Sequence, residues 1–276
     1  MLITFLFLSF DKVLYLLKKI KLYKYLPRIL TNNRFFGDII SYINPKYLPY
    51  FKIKDMIIEY PLPIIMATII REGDIAIDIG AAHAHYTIFL SKLVGQKGKV
   101  YAFEPDPRNF SILKYRTRKL KNVIIERKAV GDKNSKVKFY LDKFMGMSSI
   151  YKDATISPLA CIEVDMVNLD DYFKGFKRDI ALVKIDVQGS EPLVLNGMKD
   201  LIKKVKVLIF EFWPFGLKVA GFEPFSLIER LKINNFKLIY VDENFNFFNI
   251  NEIYDKVNDK DIYINIIAIN KNYLNI

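Results

Sequence analysis

The 276-residue chain predicts an α/β protein with a doubly wound sheet of about seven strands, and three observations carry that prediction. Short apolar runs of the kind buried on both faces of a parallel sheet recur along it, at Ile75 to Ile79, Val100 to Phe103, Ile180 to Ile185 and Val205 to Phe210. Helical patterns separate most of them. The first run ends in Gly80 and two alanines before a helical pattern begins, which is how a strand hands over to a helix at a ligand-binding crevice.

Taken in order, Leu2 to Phe10 is apolar, but nine residues fall short of the roughly 20 a bilayer span requires. The stretch also lacks a basic leader and a small-residue cleavage site, so a signal peptide is not expected. Asp11 to Leu26 predicts a helix stopped by Pro27. Its Lys19 and Lys21 point about 200° apart at about 100° per residue, a poor segregation for a membrane-surface helix. Packing on the main domain, a partner groove and peripheral membrane contact all remain readings for it. Residues 27–58, with Pro27, Pro45 and Pro49, predict irregular structure. The expected organisation is therefore an N-terminal helical, basic extension over 1–58 and a single domain over 59–276.

Within the domain, Pro61 to Ile70 predicts a helix with proline in its first turn, and Arg71 to Asp74 a turn. Tyr86, Phe89, Leu90 and Leu93 mark the helix after the first strand, and Pro105 to Leu120 the helix after the second. Val123 to Val130 predicts a third strand. A β-rich insertion follows, with strands at Lys136 to Leu141 and Ala160 to Val167 around a flexible loop, Met145 to Ser149. Ile180 to Asp186 is the fourth core strand, Glu191 to Leu201 a helix, Val205 to Phe212 the fifth strand and Pro224 to Ile233 a helix. Phe236 to Val241 and Tyr263 to Ile269 close the domain as an antiparallel pair.

A hydrophobic content of 51% and an aromatic content of 14% exclude a disordered chain. The single cysteine, Cys161, excludes a disulfide scaffold and a cysteine zinc site and fits a reducing, cytoplasmic setting. Only His83 and His85 are available to a histidine metal site, and two ligands make none; hydrogen bonding within their loop is the expected role. The net charge of +12 raises nucleic acid or anionic lipid as partners. Half of it falls in residues 1–60, which hold ten basic and four acidic residues.

The chemistry centres on Asp78-Ile-Gly-Ala-Ala-His-Ala-His-Tyr-Thr87 and on Glu104 at the end of the second apolar run. An acid at that strand end is placed to take the hydroxyls of a ribose. A dinucleotide fingerprint would need glycine at positions 82 and 85, where Ala82 and His85 stand, so a pyrophosphate is a poor fit. Asp78 would repel a pyrophosphate but suits the ammonium and sulfonium charges of S-adenosylmethionine. On these residues the chain resembles the Rossmann-like methyltransferases.

The resemblance becomes specific at Leu182-Val-Lys-Ile-Asp-Val-Gln-Gly-Ser-Glu-Pro-Leu-Val-Leu-Asn-Gly197, which is similar to the K-I-D-x-[EQ]-G-x-E-x-x-x-L-x-G block of FkbM-type methyltransferases. Six further blocks follow the family order over residues 59–270: Asp78 to Ala81, Tyr86-Thr87, Phe103 to Pro107, Ala129 to Asp132, Ser148-Ser149 and Asn168 to Tyr172. The resemblance implies S-adenosylmethionine as cofactor, held by Asp78, Gly80, Ala81, His83, Tyr86, Thr87, Glu104, Pro105, Asp106, Asn109, Ala129, Val130 and Asp186. It implies O-methylation of a hydroxyl on a sugar, glycolipid or related metabolite, with Ser148, Ser149, Gln188 and Trp213 toward that acceptor. Asp186 and Glu211, at the ends of the fourth and fifth strands, are the candidates for general base. Asp186 has a competing reading as a structural or cofactor-side carboxylate, Glu211 as a buried acid paired with lysine, and Trp213 as packing beneath the loop through Phe215. Glu191 is expected to open its helix, and Asp165, Asp170 and Asp171 to cap and solvate a short one. The chain departs from the family's D-x-G-A-N-x-G at Ala82 and Ala84, and alanine at 84 is costly if φ there is positive. Two rivals remain: a nucleic-acid methyltransferase, on the basic charge, and a non-catalytic binding module, on the altered loop.

Overall fold

The computed structural model describes residues 61–241, 247–248 and 263–273. The expected 58/59 boundary and the helix expected over Asp11 to Leu26 lie outside them. Backbone contacts divide the chain into two units, 1–69 with 241–247 and 70–240 with 248–276. The first is described chiefly by α1 (Pro61–Ile69), which buries Leu62, Ile65 and Met66.

In the second unit, β1 (Ile75–Ile79) is buried along its whole length and pairs in parallel with β2 (Lys99–Phe103) and β7 (Ile180–Ile185). β2 continues to β3 (Val123–Glu126), and β7 to β8 (Val205–Phe212), both parallel. β11 (Ile264–Asn270) runs antiparallel to β8, next to β9 (Phe236–Val241), and the two-residue β10 (Phe247–Phe248) ends the sheet. The order β10-β9-β11-β8-β7-β1-β2-β3 reverses direction of winding at β1, so the crevice at the carboxyl ends of β1 and β7 is the switch point where such sheets bind ligands. The doubly wound α/β sheet expected from the alternation of apolar runs is the fold found.

A second, three-stranded sheet holds β4 (Ala129–Val130), β6 (Pro158–Val167) and β5 (Ser135–Asp142), with β5 and β6 antiparallel. Here the structure corrects the single strand expected over Val123 to Val130. Glu126, Arg127 and Lys128 interrupt the apolar run, and the chain crosses from the large sheet to the small one at that point. The helices are α2 (His85–Val94), α3 (Pro107–Thr117), α4 (Leu169–Tyr172), α5 (Glu191–Asn196), α6 (Pro214–Val219) and α7 (Pro224–Ile233). The helix expected over Glu191 to Leu201 stops at Asn196; its C-cap, Gly197, packs against the Gly131 carbonyl, where a Cβ would lie 1.9 Å away, and a 3-10 turn, Leu201–Lys204, follows. Asn168 caps α4, whereas the Asp170 carboxylate reaches back to accept from Asp200 N and Leu201 N, so it caps that turn instead. Helix α6, absent from the expected elements, is opened by Pro214. Any Cβ at Gly216 would lie 1.9 Å from the Trp213 ring, so that ring packs on the bare backbone of α6.

Candidate active site

Gly80 joins the two halves of the crevice. Its φ is +79°, and a Cβ there would lie 1.8 Å from the carbonyl oxygen of Asp186. Side chains are excluded on both counts, so the loop after β1 touches the end of β7 backbone to backbone. Asp186 N donates to Ile79 O at 3.0 Å, and Gly80 N and Ala81 N both donate to Phe103 O. Beyond Ala81 the loop turns left-handed twice, with φ of 43° at Ala82 and 69° at Ala84, the N-cap of α2. These are the two positions at which this chain departs from the family pattern. Alanine sits here at a positive φ that asparagine and glycine tolerate more readily.

Glu104 clamps this loop from β2. Its Oε2 accepts from Ala82 N at 2.7 Å and its Oε1 from Asp106 N at 2.8 Å. It is 4% exposed, and burial pushes its carboxyl up to about 7. Asp106, after the half-buried Pro105, caps α3 through Arg108 N and binds the Arg108 side chain at 2.6 and 3.0 Å. Burial opposes the charge of Asp106, but the hydrogen bonds from Arg108 and Ser148 outweigh it and hold its carboxyl low. Ser148 Oγ donates to Asp106 Oδ2 at 2.9 Å, Arg108 Nη2 donates to Asp142 O at 2.8 Å, and Asn109 Nδ2 donates to Met145 O. The β5–β6 loop is thereby tied to the end of β2.

On the other side, Asp78 is fully buried, and Thr87 Oγ1 donates to its Oδ2 at 2.6 Å. Lys184 is its register partner on β7. The lysine pairs with Asp186 Oδ2 at 3.0 Å and stands 4.5 Å from the centre of the Tyr86 ring. Burial raises Asp78, and Lys184 pulls it the other way. Asp186 Oδ1 accepts from Gln188 Nε2 at 3.0 Å, and the same nitrogen donates to Glu211 Oε2 at 3.1 Å. The two candidate bases are thus brought together by one amide. Ser149, 1% exposed, donates through Oγ to Gln188 O at 2.9 Å. Glu191 opens α5 as expected, and it also accepts from Val187 N and Gly189 N; burial pushes it up to about 7.

His83 and His85 lie in and just after the loop. Arg116 Nη1 donates to His83 O at 2.6 Å. Burial, then the Arg116 charge, lowers both imidazoles, His85 to about 3, so His85 is neutral at pH 7. Among the described residues no group of three or more His, Cys, Asp or Glu could hold a metal. Ala129 and Val130 belong to the small sheet, in register with Met166 and Val167. Trp213 is 5% exposed and stacks on Tyr263, with ring centroids 5.3 Å apart, so it packs within the fold. Lys184, Arg108 and Arg116 also belong to the site, though none is among the residues expected there. A lysine inside the buried run of β7 was the available signal for the first; the helix positions of the two arginines carried none.

The site suits a polar nucleoside ligand that carries positive charge. Asp78 Oδ1 and Gln188 Oε1 are buried without a hydrogen-bond partner among the described residues, two acceptors that a donor-bearing ligand would satisfy. The family model for the methyltransferase FkbM domain matches residues 78–259. No curated protein matches the chain. Among solved structures, an rRNA methylase from Streptococcus thermophilus is 12% identical over 76% of this chain and 93% of its own, with a TM-score of 0.45. Methyltransferase FkbM from Methylobacillus flagellatus is 14% identical over 74% of this chain and 50% of its own, with a TM-score of 0.44. Aeropyrum pernix fibrillarin, in complex with natively bound S-adenosyl-L-methionine, is 14% identical over 72% and 67%, with a TM-score of 0.42. At these identities and TM-scores no residue role is carried over from them. The family match spans more than half of the chain, which therefore belongs to the FkbM methyltransferase domain family.

Proposed function

We propose that the chain O-methylates a hydroxyl of a sugar, glycolipid or related small metabolite. The observation that supports this most is the pair of carboxylates, Asp186 and Glu211, held at adjoining strand ends by the Gln188 amide, beside the Gly80 loop. S-adenosylmethionine supplies an electrophilic methyl group on a sulfonium. Asp78, Gly80, Ala81 and Glu104 are the residues that would hold it. Asp186, whose side chain is 29% exposed, faces the crevice and takes the proton that the acceptor hydroxyl loses. Lys184 holds that carboxylate in place through its hydrogen bond to Oδ2. Glu211, half-buried, is the second acid in reach of the same group.

The local charge bears on the acceptor. Asp78 and Asp186 flank Lys184, and Glu211 shares the Gln188 amide with Asp186, a balance that favours a neutral, donor-bearing acceptor over a phosphate. That weighs against nucleic acid in spite of the overall charge of +12. The test offers the full chain methyl-labelled S-adenosylmethionine with neutral glycans, glycolipids and RNA. Label in a glycan or glycolipid, reduced about 10²- to 10⁴-fold by Asp186→Asn, supports the reading. Label in RNA that fades steeply with salt favours the nucleic-acid rival. Cofactor binding with transfer to none of them returns the binding-module reading.

A further inference from the structure

Gln188 is held more tightly than a strand-to-helix turn requires. Its φ is +51°, a left-handed conformation that glutamine seldom adopts, and it is 8% exposed. Both N–H bonds of its side-chain amide are used, one on Asp186 Oδ1 and one on Glu211 Oε2. That fixes the amide's orientation, because turning it over would set Oε1 against two carboxylates. Oε1 is left buried with no hydrogen-bond partner among the described residues. The backbone around it is pinned from two further elements: Ser149 of the β5–β6 loop donates to Gln188 O, and Glu191 of α5 accepts from the amides on either side. Strained backbone that its surroundings over-determine is a mark of functional positions.

The geometry points to Gln188 as a positioning residue that fixes Asp186 and Glu211 as a pair and sets its own Oε1 beside them, an acceptor-only floor for a donor-rich part of the methylated molecule, such as adjacent hydroxyls. This rests on the methyltransferase reading of the crevice. Three acceptor groups side by side bind a diol or an amine and disfavour a phosphorylated group. Ser149 acts through Gln188, which links the insertion to the acids without Ser149 touching them.

The test is carboxyl 13C NMR on the full chain, with Asp186 and Glu211 assigned by Asp186→Asn and Glu211→Gln. Gln188→Met keeps the length of the side chain and removes its N–H donors. Lys184 on β7, paired with Asp186, and the Asp78 and Glu191 charges that Asp186 feels are unchanged by the substitution. In Gln188→Met the protonation midpoint of one of the pair rises by about one pH unit, tenfold in proton affinity, and in Gln188→Glu by more. Unmoved midpoints in a folded Gln188→Met protein overturn the proposal. Where that variant does not fold, Ser149→Ala serves: a smaller rise in the same direction supports it, and none overturns it. S-adenosylhomocysteine binding, measured separately by calorimetry, distinguishes the two levels. Shifted midpoints without binding leave the pairing intact and sink the methyltransferase reading, whereas binding with unmoved midpoints sinks the positioning role alone.

Discussion

The cofactor loop stores strain at Ala82, and relieving it should stabilise the protein. Ala82 has φ of 43° and is half-buried, and its N–H is spent on Glu104. A left-handed L-residue costs about 1–2 kcal/mol. Ala82→Gly removes that strain but adds about 0.5–1 kcal/mol of chain entropy to the unfolded state, so it nets roughly 0.5 kcal/mol of stabilisation. Ala82→Asn avoids the glycine entropy and tolerates the same φ, so it nets about 1 kcal/mol. Ala84 is the contrast. Its φ is 69° but it is wholly buried. Ala84→Gly gives up a packed methyl worth about 0.8 kcal/mol, as well as the entropy, and comes out near neutral. Urea unfolding of the three variants reads these differences, and the Ala82→Asn gain corresponds to a rise of roughly 2–4 °C in Tm. Destabilisation by both Ala82→Gly and Ala82→Asn would mean that φ at 82 is negative. The loop geometry, and the hold of Glu104 on it, would then be wrong.

Other outcomes follow from the same residues. Glu104 and Glu191 are each raised by burial to about 7, above the ordinary unfolded carboxyl range, so the folded state holds protons that the unfolded state has lost. Stability against urea should therefore fall as pH rises from about 4.5 to about 7 and level off above, at about 1 kcal/mol per pH unit for each group. Glu191→Gln, whose oxygen can still accept from Val187 N and Gly189 N, should flatten that slope; an unchanged slope refutes the assignment. Gly80→Ala must place a methyl on the Asp186 carbonyl at an unfavourable φ, and it should cost about 2 kcal/mol or more and weaken S-adenosylhomocysteine binding; a wild-type melting curve would contradict the contact. Residues 1–26, apolar and then basic, are proposed to make peripheral contact with a membrane, and co-sedimentation with anionic vesicles should drop when they are deleted; unchanged partition sinks that idea. Among the described residues no helix is long and apolar enough to cross a membrane.

The parts of this molecule legible in its sequence are those where burial on both faces leaves no choice of residue type. β1, β7 and β8 are continuous apolar runs, and the acids at or just past their ends, with Glu104 past β2, stand out because nothing else in those segments is charged except Lys184, Lys206 and Lys99. What escaped is set by contacts between segments. Val123 to Val130 looks like one strand, yet its two halves serve different sheets, and only the pairing of Ala129 and Val130 with Met166 and Val167 shows it. The helix over Pro214 to Val219 depends on the Trp213 ring lying across Gly216, which no periodicity records. At Ala84 the sequence leaves the sign of φ open, and at Ala82 it carries no signal; the structure holds both positive. Tertiary contacts, with Glu104 on the Ala82 amide and Phe103 O on Gly80 and Ala81, hold the loop in that shape. The same holds for Gln188, whose bridging of Asp186 and Glu211 depends on β7 and β8 lying side by side.

Calorimetric titration of the full chain with S-adenosylmethionine and S-adenosylhomocysteine, with Glu104→Ala as the control, decides whether this crevice holds the cofactor. Micromolar binding of both by the unsubstituted chain, lost or severely weakened in a folded Glu104→Ala protein, is the expected result. Absence of binding by the unsubstituted chain would contradict it and would mean that the Ala82 and Ala84 loop no longer holds the cofactor.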